Sequence, residues 1–189
     1  MPEKKIDFTE SADCVAKMLL GKVICRKISE KETRRFIITE TEAYCAKRDK
    51  CICYGYNNEK KKNKSGMFYS VGMWCAFAGM LMISCGRDDN PDNVLIRRGV
   101  NLDSFIEFNG PCKLIEALSI ENHYHGEVFI SGRSKKPFQF DDELLLEDIG
   151  AHVKEGDFRE KLRIGIKEEK SKLKWNFTIK KLTFESLKK

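Results

Sequence analysis

The chain has 189 residues, a formal net charge of +6 at pH 7 and a hydrophobic content of 41%. This length suits one domain with a sizeable core, and this composition excludes a disordered chain. No apolar run reaches the roughly 18 residues of a membrane-spanning helix. The charged start, Met-Pro-Glu-Lys-Lys, has no apolar signal core behind it, so the protein is expected to be intracellular.

The charge is unevenly distributed along the chain. Residues 22–64 hold 13 Lys and Arg against 6 Asp and Glu, and residues 161–189 hold 10 against 3. Between residues 87 and 160 the balance reverses, to 9 against 16. Two basic ends around an acidic middle favour a polyanionic partner bound on one side. An ordinary solvated surface explains the same counts, so charge alone leaves both interpretations open.

Apolar periodicity and turn residues predict a short series of helices and strands. In chain order these are a helix at 11–20, a strand hairpin at 23–27 and 34–39, apolar strands within 66–85 interrupted at Gly72 and Gly79, a polar turn at 87–93, a short buried strand at 94–96, a helix at 111–118, a loop at 121–136 and a strand at 173–179. In the last strand, apolar residues alternate with Asn176, Thr178 and lysines, which predicts a polar outer face. We therefore expect one α+β domain over 1–189, with a mostly antiparallel sheet, a few packed helices and short charged tails at 1–6 and 181–189.

The stretch Phe36-Ile37-Ile38-Thr39-Glu40-Thr41-Glu42-Ala43-Tyr44 is the candidate for chemistry. Its apolar start predicts a buried strand, and Glu40 and Glu42, two residues apart, face the same way in an extended chain. A carboxylate at the end of such a strand, two residues before an aromatic ring, suits a general base beside a stacking platform. Paired glutamates in a solvated loop after a strand are the alternative.

Seven short segments, in this order, closely resemble the alkyladenine (3-methyladenine) DNA glycosylase family. They lie at residues 16–22, 40–44, 66–72, 94–97, 110–118, 163–166 and 174–177. The resemblance implies that family's curved, mostly antiparallel sheet and an enzyme that flips damaged purines, alkylated or deaminated, out of duplex DNA. Hydrolysis of the N-glycosidic bond would leave an abasic site. No metal or organic cofactor is implied, and no lysine is placed for a Schiff base, so a monofunctional glycosylase is expected.

The resemblance also assigns roles to individual residues. Glu42 would activate the water that attacks C1′, Tyr44 would form one face of the slot around the flipped base, and Arg97 would position the DNA backbone and the site around the water. Glu40 does not correspond to the base, so its replacement by Gln is expected to matter far less than that of Glu42.

Two positions in the implied pocket depart from the family pattern. Cys53 stands where the family usually has a histidine that donates a hydrogen bond to the base, and a thiol is a weaker donor. In the segment after residue 72, Phe77 is the candidate stacking residue and Met80 the candidate wedge in the duplex. Because of these departures, the alternative remains that the protein is a relative that binds lesions but excises them weakly.

Double-stranded DNA is the expected partner, with the basic run Lys60, Lys61, Lys62 and Lys64 in a loop that contacts phosphates or is simply solvated. We expect a monomer that binds no membrane and that lies in the nucleus if the source is eukaryotic. A zinc site built from Cys51, Cys53, His123 and His125 is the less favoured interpretation, because one-residue spacings are tighter than those of structural zinc sites. An unrelated nucleic-acid-binding domain is the remaining alternative.

Overall fold

The computed structural model describes residues 6–45, 71–87, 90–120, 125–127, 129–131, 144–149, 153–166 and 172–181. Its helices are α1 (Ala12–Leu19) and α2 (Pro111–Ala117). Its strands are β1 (Val23–Lys27), β2 (Thr33–Cys45), β3 (Met73–Phe77), β4 (Met80–Arg87), β5 (Asn90–Asn101), β6 (Glu107–Asn109), β7 (His125–Glu127), β8 (Phe129–Ser131), β9 (Leu144–Glu147), β10 (Phe158–Lys161) and β11 (Asn176–Ile179). Within these residues, neither helix is long and apolar enough to cross a membrane.

The strands form one sheet in the order β7-β3-β4-β5-β2-β1-β9-β8. Every pairing is antiparallel except that between β8 and β9. The short strand β6 pairs with β5, and a ribbon of β10 and β11 joins the sheet through β2. The predicted α+β class with a mostly antiparallel sheet is confirmed, as are both helices and the hairpin of β1 and β2.

Strand β2 is the centre of the sheet. Strand β5 lies along one side of it, while β1 and β11 follow one another along the other side. Glu40 and Glu42 are in the part flanked by β5 and β11, inside the strand. The expectation that these carboxylates stand at or beyond the strand's end is therefore wrong. Strand β11 pairs with residues 40–42, and β5 pairs with β2 as far as Cys45.

The pairing of β2 with β5 contains two opposed bulges. Ile38 pairs with Gly99 and Glu40 with Arg98, which leaves Thr39 as an extra residue on β2. Thr41 then pairs with Ile96, which leaves Arg97 as an extra residue on β5. Bulges re-aim side chains, and here Arg97 and Arg98 both come to contact carboxylates of β2.

One face of the sheet packs on the helices. Thr41, Ile96 and Leu81 lie directly opposite one another on three neighbouring strands, so their side chains share a face. All three are buried, and the Thr41 hydroxyl donates to the Ala16 carbonyl oxygen of α1 at 2.9 Å. The largest core cluster, which includes α1 and α2, is on this side.

The next row across the same strands faces the other way. Glu42 pairs with Leu95, Leu95 with Met82, and Met82 with Cys75. Because side chains alternate along a strand, these residues project from the face opposite α1. The sheet thus holds the apolar core on one side and the candidate site on the other.

The predicted polar turn at 87–93 is wrong in its second half, because β5 begins at Asn90. Asp92 is buried within this strand, and its Oδ2 accepts a hydrogen bond from the Ala12 backbone N–H at 3.0 Å. A carboxylate from β5 therefore caps the first turn of α1, while Ser11 at the N-cap position makes no side-chain cap bond.

The predicted loop at 121–136 contains strands β7 and β8, so that prediction is also wrong. The last predicted strand is present as β11, but its polar side does not face water. Asn176 and Thr178 are buried, since they lie opposite Glu42 and Glu40 on β2.

Candidate active site

Glu42 is fully buried, and hydrogen-bond donors surround both of its carboxylate oxygens. Oε1 accepts from the Ile164 backbone N–H at 2.8 Å and from the Asn176 side-chain amide at 2.9 Å. Oε2 accepts from the Tyr44 hydroxyl at 2.7 Å and from the Arg97 guanidinium at 3.4 Å. Three of these bonds are short and the fourth is long. Oε2 consequently keeps one loosely held lone pair, whereas both lone pairs of Oε1 are engaged.

A second carboxylate lies beside the first. Glu40 Oε1 accepts from the Asn176 amide nitrogen at 2.5 Å, and Glu40 Oε2 pairs with Arg98 at 3.0 Å. The Arg97 guanidinium contacts both acids, with its Nε 3.5 Å from Glu40. Two guanidiniums therefore balance two buried carboxylates. A buried charge without a partner is strongly destabilising, so these ion pairs offset the cost of burying two acids side by side.

The ring of Tyr44 is covered on one side. The Arg163 guanidinium lies 4.9 Å from the Tyr44 ring centroid and 5.6 Å from that of Trp175, and Arg163 Nη1 donates to the Ala43 carbonyl oxygen at 2.9 Å. Burial, followed by the charge of Glu42, raises the pKa of the Tyr44 hydroxyl well above its usual range. The phenol thus remains a donor to Glu42, and only the second face of its ring can receive a planar ligand.

Phe77 and Met80 flank a two-residue turn between β3 and β4. Ala78 and Gly79 at its tip have φ of 50° and 73°, which matches the left-handed conformation of tight hairpin turns. A Cβ on Gly79 would also lie 3.0 Å from Cys112 Sγ, so the tip fits closely against the start of α2.

The hairpin lies on the Glu42 face of the sheet. Phe77 and Met80 pair two residues along from Cys75 and Met82, so they share the face of that row. Met80 lies two strands across the sheet from Glu42 and two residues further along, so their backbones are about 12 Å apart. The Phe77 side chain is 47% exposed, and that of Met80 is half-buried.

Several residues singled out from the sequence lie outside the described residues. Cys53, the lysines of the basic run at 60–64 and most of the alternative zinc ligands are among them. Across the parts of the chain that the structure describes, no group of three His, Cys, Asp or Glu side chains could hold a metal ion.

The sequence matches the profile of the methylpurine-DNA glycosylase (MPG) family over residues 6–183. The chain belongs to this family. A protein of Clostridium botulinum (strain Langeland) named "Putative 3-methyladenine DNA glycosylase" is 30% identical over a gapped alignment of 204 positions, which covers 96% of this chain and 97% of the relative. A relative with the same name from Borreliella afzelii is 33% identical over 125 residues, 60% of this chain and 66% of the relative.

A third relative, "Probable DNA-3-methyladenine glycosylase" of Encephalitozoon cuniculi, is 29% identical over 142 residues, 64% of this chain and 65% of the relative. The chain thus spans just under two-thirds of the length of the second and third relatives. The resemblance inferred from the ordered segments is confirmed.

In this member of the methylpurine-DNA glycosylase family, the structure brings Glu42, Tyr44 and Arg97 together as the sequence segments imply. Sequence reasoning missed Asn176, the Ile164 backbone N–H and the role of Arg163 over the Tyr44 ring. One signal was available for Asn176. It is the one uncharged amide in a strand whose other outward positions are lysines and a threonine.

Proposed function

We propose that the protein is a DNA repair glycosylase that hydrolyses the N-glycosidic bond of alkylated purines, and also deaminated ones, after flipping them out of duplex DNA. The observation that carries this proposal is Glu42, a fully buried carboxylate with two short hydrogen bonds to Oε1, and one short and one long to Oε2. Family membership and the names of the relatives support the same reaction class.

Glu42 is suited to the general-base role by the asymmetry of its contacts. Its Oε2 has one long contact, to Arg97, where a water molecule can donate a hydrogen bond. In the reaction the water oxygen bonds to C1′ and its proton passes to Oε2. The purine leaves with the electron pair of the glycosidic bond, and the negative carboxylate favours the oxocarbenium character of C1′.

The hairpin and Tyr44 would hold the flipped base. The Tyr44 ring, two residues from Glu42 on β2, and the half-exposed ring of Phe77 lie on the same side of the sheet as Glu42. A cationic alkylated purine is attracted to such rings, and its glycosidic bond is already weakened. Met80, beside Phe77, is a candidate for the side chain that fills the gap left in the duplex.

Arg97 has two roles in this proposal, one toward Glu42 and the water and one toward the DNA backbone. Its side chain is only 13% exposed and contacts both carboxylates, which supports a role in orienting Glu42 and the water. Contact with the DNA backbone, the role that the sequence resemblance implies, would use the exposed remainder. The proposal further includes one domain over 1–189, a monomer on double-stranded DNA, no cofactor and a location where the genome is, the nucleus in a eukaryote.

Replacement of Glu42 by Gln tests the function. The amide preserves shape but cannot take a proton, and loss of a positioned base costs roughly 10²–10⁴ in rate. Wild type and Glu42→Gln are incubated with duplexes that carry 3-methyladenine, hypoxanthine or 1,N6-ethenoadenine, and alkali then breaks the strand at abasic sites. We expect breaks at the lesion with wild type, and retained lesion binding without excision with Glu42→Gln.

Glu32→Gln is the matched control, because Glu32 is an exposed carboxylate ten positions before Glu42, about 30 Å along the strand direction. It should excise as wild type does. Lesion binding without breaks by the wild-type protein would instead favour a lesion-binding relative. Excision by Glu42→Gln at the wild-type single-turnover rate would remove Glu42 from the mechanism.

A further inference from the structure

We propose that Asn176 is a positioning residue, which turns Oε1 of Glu42 away from the reaction and leaves Oε2 for the water. This inference rests on the proposed role of Glu42 as the general base. It adds a residue on the last described strand, 134 positions from Glu42, to the machinery of the site.

The orientation of the Asn176 side chain is fixed by its own partner. The Thr178 hydroxyl donates to Asn176 Oδ1 at 2.9 Å, so the NH₂ group of the amide must face the carboxylates. Both side chains are buried, with exposures of 1% and 6%. A side-chain amide with its oxygen committed to a donor has only hydrogen-bond donors left for Glu40 and Glu42.

The two hydrogens of the Asn176 amide match two acceptors. One points to Glu40 Oε1 at 2.5 Å and the other to Glu42 Oε1 at 2.9 Å. Strand pairing sets this geometry, because Asn176 lies directly opposite Glu42 and Thr178 directly opposite Glu40. The nitrogen therefore stands between two like charges, and without it Arg97 would be the one donor shared by those carboxylates among the described residues.

Arg98 completes a chain of four side chains. It pairs with Glu40 Oε2 at 3.0 Å, so Glu40 is held at one end by a guanidinium and at the other by the amide of Asn176. Contacts run from Arg98 to Glu40, from Glu40 to Asn176 and from Asn176 to Glu42. Because Arg98 is held on β5, this series of contacts fixes the position of the reacting carboxylate. Glu40 is thus a second positioning residue, so Glu40→Gln should slow excision measurably, although far less than Glu42→Gln does.

Two substitutions test whether position 176 needs a hydrogen-bond donor or only a side chain of the right size. Asn176→Leu has similar bulk and no donor, while Asn176→Asp keeps the shape and presents an acceptor. For both, the single-turnover rate of 3-methyladenine release from methylated duplex should fall roughly 10- to 100-fold, the range of a hydrogen bond to a charged group. The Kd for the methylated duplex should change less than about threefold, because the lost contact acts in the chemical step.

The pH dependence of the excision rate distinguishes a positioning role from a purely structural one, because a structural role predicts no pH-dependent recovery in either variant. At neutral pH the introduced carboxylate of Asn176→Asp repels its neighbours, whereas at acidic pH it gains a proton and one O–H donor. Relative to wild type at the same pH, the rate of Asn176→Asp should recover as the pH falls, and that of Asn176→Leu should not. Thr178→Val, which removes only the orienting hydroxyl, should lose about 3- to 10-fold at all pH values.

The outcomes distinguish the two proposals. If Glu42→Gln is inactive while folded Asn176 variants excise at the wild-type rate, the positioning role is overturned and the proposed function stands. Loss of excision in proportion to loss of lesion binding also overturns it. If Glu42→Gln excises normally, Glu42 is not the general base and the positioning role of Asn176 fails with it. A wild-type protein that excises none of the lesions overturns the proposed function itself. Where thermal unfolding shows that the Asn176 variants do not fold, Thr178→Val decides, and an unchanged rate overturns the inference.

Discussion

Phe77→Ala should weaken lesion binding as much as, or more than, it weakens the fold. Phe77 stands at the end of the hairpin, on the Glu42 face of the sheet, with 47% of its side chain exposed. A ring in that position can stack on a flipped purine. The substitution removes this ring and leaves the turn at Ala78 and Gly79 intact.

The two effects differ in size. Complete burial of a phenylalanine contributes about 1.5–3 kcal/mol, so truncation of a half-buried ring should lower the free energy of unfolding by about 1 kcal/mol. Stacking of a base on an aromatic side chain contributes about 1–3 kcal/mol. The Kd for a lesion duplex should therefore rise roughly 5- to 150-fold, while the Kd for undamaged duplex stays nearly constant.

Lesion binding is best measured in the Glu42→Gln background, where the substrate persists. Fluorescence anisotropy would compare a duplex that carries one 7-methylguanine with the same duplex undamaged. Phe105→Ala is the matched control, since Phe105 is 59% exposed in the turn after β5. Asn101, which precedes that turn, pairs with Phe36, six residues or about 20 Å from Glu42.

Equal effects of Phe77→Ala and Phe105→Ala would refute the reasoning. So would a parallel loss of affinity for damaged and undamaged duplex, because a stacking residue acts only on an extruded base. A loss of folding stability much above 1 kcal/mol would mean that the ring is more buried than its exposure indicates.

Two further predictions concern thiols. Cys53→His should raise hypoxanthine excision roughly 5- to 150-fold and leave 3-methyladenine excision little changed, because a neutral base depends most on a strong donor; equal rates for both bases in the wild-type protein would contradict this. Burial raises the pKa of the Cys75 thiol to about 11 from 9.0. The unfolded chain then loses this proton first, so the free energy of unfolding should fall as pH rises from 9 to 11, by about 1.4 kcal/mol at pH 10 for this group. Chemical unfolding of Cys75→Ala should show a correspondingly shallower decline, and an identical decline in both proteins would exclude the thiol as its source.

Much of the fold could be predicted because its signals are local. Helix α1 repeats its apolar residues at helical spacing, and α2 begins with Pro111 at its first turn. The hairpin of β3 and β4 follows from Gly72 and Gly79 within an apolar run. In each case a few neighbouring residues determine the element.

The site could be predicted only in part, because its burial comes from distant strands. Alternating threonines and glutamates look solvated in isolation, and it is the pairing of β2 with both β5 and β11 that buries Glu40 and Glu42. Asn176 and Thr178 likewise look like a solvent-exposed strand face in the sequence, because the strand that buries them is distant in the chain. The opposed bulges at Thr39 and Arg97 have no local signature in sequence.

The pairing of β2 with β11 also determines when the site can exist during folding. Two of the four donors to Glu42, the Ile164 N–H and the Asn176 amide, come from 122 and 134 residues further along the chain. Contacts of such long range close large loops and form late. On the ribosome, β1 and β2 can pair soon after they emerge, but Glu42 acquires its anchored oxygen only after β11 has been synthesised and has docked.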